Sequence, residues 1–312
     1  MTLTPAPAAS SASSVISARE LLVAAVDGME QAWQQPAKAG SEHLSTGFAG
    51  LDVMTQGLRR GSLVVLAGST GMGKTALALN LARNISLRGE VAVHICALDS
   101  SPTALLQRML ASLCSVERGR IASSRLTAEE WPRLGEAMAQ LSAAPLFFSG
   151  AEISTAATIR ARCQELAAQG SEPLGLVVID SLQLLGGEPA EQLKALRLLA
   201  AELEACVLLT CQSLPSVELR PGGVPLLHDL PALEAMQTYP HVIGMLHREE
   251  FWNTTTSKRG QAELMLVKNS DNPLGTLLFG FEPMASCFIE IDAPSRATDP
   301  QTERHQWQRP PR

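Results

Sequence analysis

The chain has 312 residues, is 46% hydrophobic and 18% charged, and can therefore bury a sizeable core in one large α/β domain or two small ones. It contains no run of 18 apolar residues, which argues against a bilayer-spanning helix. With 25 Lys+Arg against 31 Asp+Glu the net charge is −6, and aromatic residues make up 4%. That composition excludes a surface given over wholly to nucleic acid or to base-stacking platforms, but leaves room for a local basic channel.

Residues 1–16 are rich in Ala, Ser, Pro and Thr and lack the cationic start and apolar stretch of a signal peptide. They read as a disordered lead-in to a cytoplasmic chain. Residues 17–35 predict an amphipathic helix. Ser17 can cap it with Glu20 three positions on, and Leu21, Leu22, Ala25, Val26, Met29 and Trp33 form one apolar stripe. Residues 36–44, opened by Pro36 and containing Gly40, form a linker. The stripe must bury itself on its own domain or on a neighbouring subunit.

From residue 45 to 291 apolar runs alternate with helix-length segments. Runs at Leu63–Ala67, Val91–Leu98, Pro145–Phe148, Leu174–Ile179 and Val207–Cys211 are separated by predicted helices at Lys74–Leu87, Pro102–Val116, Thr127–Leu141, Ser154–Gln169 and Pro189–Leu203. This pattern predicts an α/β domain with a mostly parallel sheet covered on both faces. Runs at Val242–Leu246, Leu264–Val267 and Leu277–Phe281 follow one another with turns in place of helices, which predicts a β-hairpin edge. Residues 292–312, proline-containing and of alternating charge, read as a disordered tail. The six cysteines (Cys96, Cys114, Cys163, Cys206, Cys211 and Cys287) show no CxxC spacing and are expected to be buried thiols.

The sharpest local signal is Gly68-Ser69-Thr70-Gly71-Met72-Gly73-Lys74-Thr75, followed by Ala76, between a predicted strand and a predicted helix. Glycines let successive backbone N–H groups curl around a β-phosphate at a helix N-terminus, where the dipole favours negative charge. Lys74 is placed to reach the β- and γ-phosphates of ATP, and the Thr75 hydroxyl to ligate Mg²⁺. The run Leu176–Ile179 ends in Asp180, a carboxylate at the same sheet edge able to hold Mg²⁺ through water. Gln212 closes the next strand at the equivalent position, either as a γ-phosphate sensor or as a plain strand terminator.

Taken together these motifs resemble the DnaB-type replicative helicases among the RecA-like hexameric ATPases. The matching segments are Ser45–Phe48 with Leu51 and Asp52, Gly57-Leu58, Met72–Asn80, Ile179–Leu184, Arg248–Glu250, and Lys268 with Pro273 and Gly275. The resemblance implies a RecA-like P-loop fold for residues 45–291 and makes 17–35 a linker helix. It further implies an ATP-driven motor on single-stranded DNA in replication, working as a homo-hexamer or mixed ring, with another replication protein as a possible partner and no membrane. The family's amino-terminal helical domain, used for the primase collar, has no counterpart in the sequence.

Several positions depart from the family pattern. Asp99 stands where the family has a Glu that polarises the attacking water, one methylene shorter or about 1 Å of reach; a misplaced base forfeits part of a roughly 10²–10⁴-fold effect. Lys268 matches the first residue of the family's Lys-x-Arg, but Ser270 replaces the Arg that acts on a neighbour's γ-phosphate, an interaction worth about 10³–10⁵ in rate. Lys258 and Arg259 are nearby candidates to replace it. The loops implied to contact DNA, Gly186–Pro189 and Ser213–Asp229, are acidic. Catalytic candidates are thus Lys74, Asp99, Gln212 and Lys268. A second reading, an ATP-binding assembly or regulatory paralogue with little hydrolysis, follows from the same departures. His94 and His247 read as core histidines, and Phe251 and Trp252 as either surface anchors or loop packing.

Overall fold

The computed structural model describes residues 42–291, apart from 171 and 271, together with residue 18. The chain divides into a unit ending at Glu42 and a second beginning at His43. In the first, Ala18 is helical and exposed, while the rest of the expected helix lies outside the described residues, as do the lead-in and the tail.

In the second unit the order is β1 (His43–Leu44), α1 (Ala49–Thr55), β2 (Leu58–Arg59), β3 (Leu63–Gly68), α2 (Lys74–Ser86), β4 (Ala92–Ala97), α3 (Pro102–Cys114), α4 (Arg118–Ala122) and α5 (Glu130–Ala143). It continues through β5 (Leu146–Ser149), α6 (Ala156–Gln169), β6 (Leu174–Asp180), α7 (Pro189–Leu203), β7 (Cys206–Gln212), α8 (Leu233–Thr238) and β8 (Val242–His247). The last elements are α9 (Glu249–Trp252), β9 (Gln261–Asn269), β10 (Gly275–Glu282) and β11 (Cys287–Glu290). Short 3₁₀ turns occupy Leu182–Leu184, Pro215–Leu219, Pro221–Gly223 and Leu227–Asp229.

Nine strands form one sheet in the order β11-β10-β9-β8-β3-β7-β6-β4-β5. The fold is α/β with a mostly parallel sheet, as the sequence pattern predicts, in the RecA-like arrangement that the resemblance implies. Strand β3 shows why: all six of its residues are buried, with Val64 and Leu66 in one apolar layer and Leu63, Val65 and Ala67 in the other. Side chains alternate across a strand, so a continuous apolar run requires cover on both faces. One layer takes Leu77 and Leu81 of α2 with Leu105 and Met109 of α3; the other takes Ile159 of α6 with Leu193, Leu196 and Leu199 of α7. All six cysteines are unpaired and only Cys287 is more than marginally exposed.

The carboxyl-terminal strands differ from the predicted hairpin in two ways. The Val242 run belongs to the parallel part: β8 lies parallel to β3 and antiparallel to β9. The 3₁₀ turns and α8 carry the chain back across the sheet, a crossover too irregular to leave a helical period in the sequence. Beyond β10, the short strand β11 pairs antiparallel with it from Phe279↔Glu290 to Glu282↔Cys287. No helix among the described residues is long and apolar enough to cross a membrane.

Candidate nucleotide site

Parallel strands β3, β4, β6, β7 and β8 all end at one edge of the sheet, and that geometry gathers the site. At Gly73 the chain turns into α2 with φ 103, a left-handed conformation that glycine adopts without strain, and Lys74 then begins the helix. The helix amino terminus therefore faces the loop of residues 68–73. Lys74 Nζ donates to Ser69 O at 2.9 Å. Burial pulls its pKa below the ordinary lysine value, against the opposing charges of Cys211 and Asp180.

Asp180 is buried at the end of β6. Its Oδ1 accepts from Thr210 Oγ1 at 2.5 Å and its Oδ2 from Thr75 Oγ1 at 2.8 Å. Thr210 on β7 thus fixes one oxygen and turns the other toward the loop. A hydroxyl and a carboxylate converging in this way form an oxygen donor pair suited to Mg²⁺. Gln212 is exposed at the end of β7, and Gln183 holds its backbone from both sides, accepting from Gln212 N and donating to Gln212 O, each at 3.1 Å. The backbone of Asp99 reaches the same place, its N–H 3.3 Å from Asp180 O.

One site residue escaped the sequence reading. Arg108, on α3, has its Nε buried with no hydrogen-bond partner. Burial holds its pKa below the ordinary arginine value; Arg118 adds to this, and Asp180 and Asp99 oppose it. A buried, unpaired guanidinium donor close enough to feel both carboxylates is costly unless something anionic meets it. Beside the phosphate loop lies a cavity of about 410 Å³, lined by Arg248, Glu250, Phe251, Thr254, Arg259 and Pro283.

Residues 43–290 match the DnaB-like helicase C terminal domain family. The chain belongs to that family. It is 29% identical over 284 residues to the replicative DNA helicase DnaB of Geobacillus stearothermophilus, covering 88% of this chain and 62% of that protein. Against the DnaB of Nostoc sp. it is 38% identical over 191 residues, 59% of this chain and 22% of that one. The chain therefore spans about three-fifths of the Geobacillus relative's length. Among solved structures, the ATPase domain of G40P superposes with a TM-score of 0.78 at 25% identity, over 88% of this chain and 99% of the other. A DnaB-like replicative helicase shares the fold with a TM-score of 0.77 at 24% identity, over 89% and 68%.

Within this DnaB-like domain not every candidate meets the others. Lys74, Thr75, Asp180, Asp99 and Gln212 share the carboxyl edge. Lys268 does not. Because β9 runs antiparallel to β8, Val242 faces Asn269 while His247 faces Glu263, which puts Lys268 and Ser270 at the opposite edge. There Lys268 Nζ donates to Gln237 O at 2.6 Å, and Ser270 Oγ donates to His241 O at 2.9 Å. Lys268 is therefore remote from the phosphate loop of its own chain. Lys258 and Arg259 stand at the other end of β9, roughly 30 Å of strand away, so neither replaces an arginine at Ser270. Lys258 bridges Glu249 and Glu263 at 3.3 and 2.9 Å, and Arg259 donates to Thr254 O at 2.5 Å beside the chain's own cavity.

The second loop implied to contact DNA is more committed than its sequence suggests. Arg220 pairs with the fully buried Asp229 at 2.9 Å, and Asp229 also accepts from Leu226 N at 2.7 Å and Ser216 Oγ at 3.1 Å. Burial pushes the Asp229 carboxyl upward, but these donors outweigh it and its pKa lies below the ordinary value. The loop's exposed apolar side chains are Leu214 and Leu219.

Proposed function

We propose that this chain is an ATP-driven motor of the DnaB type, assembling into a ring that tracks single-stranded DNA during replication in the cytoplasm. The observation that carries the reading is the convergence of Lys74, the Thr75–Asp180 pair and the unpaired Arg108 on one sheet edge. The loop 68–76 would hold the phosphates of ATP, and Thr75 with Asp180 would hold Mg²⁺, whose charge neutralises the transferring phosphoryl group. Lys74 and Arg108, both within electrostatic reach of Asp180, supply positive charge. Asp99, beside Asp180 O, is the chain's acceptor for a proton of water. Lys268 serves the site of a neighbour, so hydrolysis is a property of the assembly.

A second reading has its own support. Ser270 is bonded back to His241 O, and Arg220 is taken up by Asp229, which favours a paralogue that binds ATP and assembles but turns over slowly. One experiment separates the two: phosphate release with and without oligo-dT, alongside native mass with and without nucleotide, for the parent and Lys74→Ala. The motor reading expects a hexamer whose release is stimulated by the strand and falls about 10²–10³-fold in the variant. Assembly with nucleotide but release equal to that of Lys74→Ala establishes the paralogue instead.

A further inference from the structure

Helix α9 has four residues, yet it touches two loops that carry different parts of the proposed cycle. Arg248, just before it, donates from Nη1 to Gly71 O at 3.0 Å. Its guanidinium is held in turn by Glu250 and stacks 4.5 Å from the Phe281 ring centroid. The Phe251 ring covers Gly71, its nearest atom 3.0 Å from where a Cβ would stand. Trp252 points the other way and presses on Gly223 in the β7–β8 connection, where a Cβ would fall 2.1 Å from the indole. Gly223 has φ +58, so both its backbone and its space require glycine. The two rings meet edge to face, their centroids 5.5 Å apart.

An unbroken line of contact thus runs from the phosphate loop through Phe251 and Trp252 to Gly223. Both ends have identifiable hydrogen bonds. At the first, Lys74 donates to Ser69 O, and a phosphate in the loop would compete with Ser69 for that ammonium two residues before Gly71. At the second, the Arg220–Asp229 pair makes the connection a stiff body, able to shift as a unit. Trp252 Nε1 is buried with no hydrogen-bond partner, so packing alone holds the indole against Gly223. A ring held by packing can take a second position without breaking a hydrogen bond.

We infer that Phe251 and Trp252 are positioning residues that couple the phosphate loop to the β7–β8 connection, so that nucleotide in the first resets the second. What the connection then grips, a single strand, rests on the motor reading; the coupling itself does not.

The test uses the full chain with Trp33, Trp131 and Trp307 changed to Phe, leaving Trp252 as the sole reporter. A non-hydrolysable ATP analogue with Mg²⁺ is expected to change Trp252 emission and the amide exchange of residues 214–229, and neither is expected to change in the Lys74→Ala background. In the otherwise native chain, the ratio of oligo-dT affinities with and without the analogue is expected to be at least about five-fold. Trp252→Ala should bring that ratio to about one while moving analogue affinity less than about three-fold; Trp252→Phe, which keeps a ring, should retain most of it. Unmoved emission and exchange at saturating analogue, or an unaltered ratio in Trp252→Ala, overturns the coupling. If oligo-dT does not bind at all, the motor reading fails, and emission and exchange still decide the coupling.

Discussion

On the motor reading, the two edges of the sheet carry unequal halves of a catalytic unit. At the carboxyl edge the receiving half has every part but a full-length base: loop, helix terminus, the Thr75–Asp180 pair, an unpaired arginine on α3, and Asp99 in place of a Glu. At the amino edge, the half offered to a neighbour, Lys268 is present and Ser270 is tied to His241 O. Nucleotide binding needs only the first half, whereas phosphoryl transfer in a ring needs both. On the motor reading proposed above, the contrast implies that this chain binds better than it turns over, and that the larger deficit lies between subunits.

Restoring the missing cation is the strongest way to break the contrast. Ser270→Arg is expected to raise turnover of the assembled protein by about 10²–10³, the lower part of what such arginines supply. The backbone N–H of residue 270 also bonds His241 O, at 3.0 Å, so the substitution keeps its place on the strand. Phosphate release followed across protein concentration checks it, since the gain must vanish on dilution to monomer. A gain that survives dilution would mean the new arginine acts within one chain and the edges are not separate halves.

Repair of the receiving half should matter less. Asp99→Glu restores the reach of the base, and a gain of about 10-fold in kcat with unchanged nucleotide affinity is expected. Combined with Ser270→Arg the gains should fall short of their product, because in the assembly the two groups act on one γ-phosphate. A double variant no faster than Ser270→Arg alone would show that Asp99 is not limiting.

This asymmetry was only half visible in the sequence. The phosphate loop is legible because its chemistry is local: glycine spacing, Lys74 and Thr75 act within eight positions. Strands and helices of the parallel half that the sequence picked out are legible within three residues at either end, since apolar runs and stripes report burial directly. Arg108 left no such signal, for an arginine in Ala104–Leu113 reads as the polar side of an amphipathic helix until α3 is docked beside β6. The sequence showed the 213–229 loop only as acidic; that Asp229 lies buried beneath Arg220, nine positions away, had no period to announce it. The edge at which Lys268 and Arg259 stand depends on the direction of β9, which follows from β8 joining the parallel set. Phe251 and Trp252, which the sequence left between anchor and packing, pack on Gly71 and Gly223.

The weakest expected effect concerns acid. His94 lies midway along β4, five residues before Asp99, fully buried with Nε2 2.8 Å from Ser149 Oγ and Nδ1 3.4 Å from Cys163 Sγ. Burial lowers its pKa to about 4, with Arg162 adding to the shift. In the unfolded chain the imidazole takes a proton near pH 6.5, so between there and pH 4 the unfolded state binds more protons. The stability it supports is therefore present above pH 6.5 and lost as pH falls toward 4. From pH 7 to 5.5 the loss from this group should be about 1 kcal/mol. Urea unfolding of the parent and His94→Gln at both pH values measures it: the variant keeps a polar side chain that cannot titrate, and every other group titrates alike in the two proteins. Its pH slope should be shallower by about that amount, and amide exchange should show β4 loosening in the parent before β9. Because β4 leads to Asp99, mild acid should weaken the receiving edge while leaving Lys268 in place. Equal slopes in parent and variant would mean that the histidine is protonated in the fold, with Ser149 and Cys163 accepting its protons.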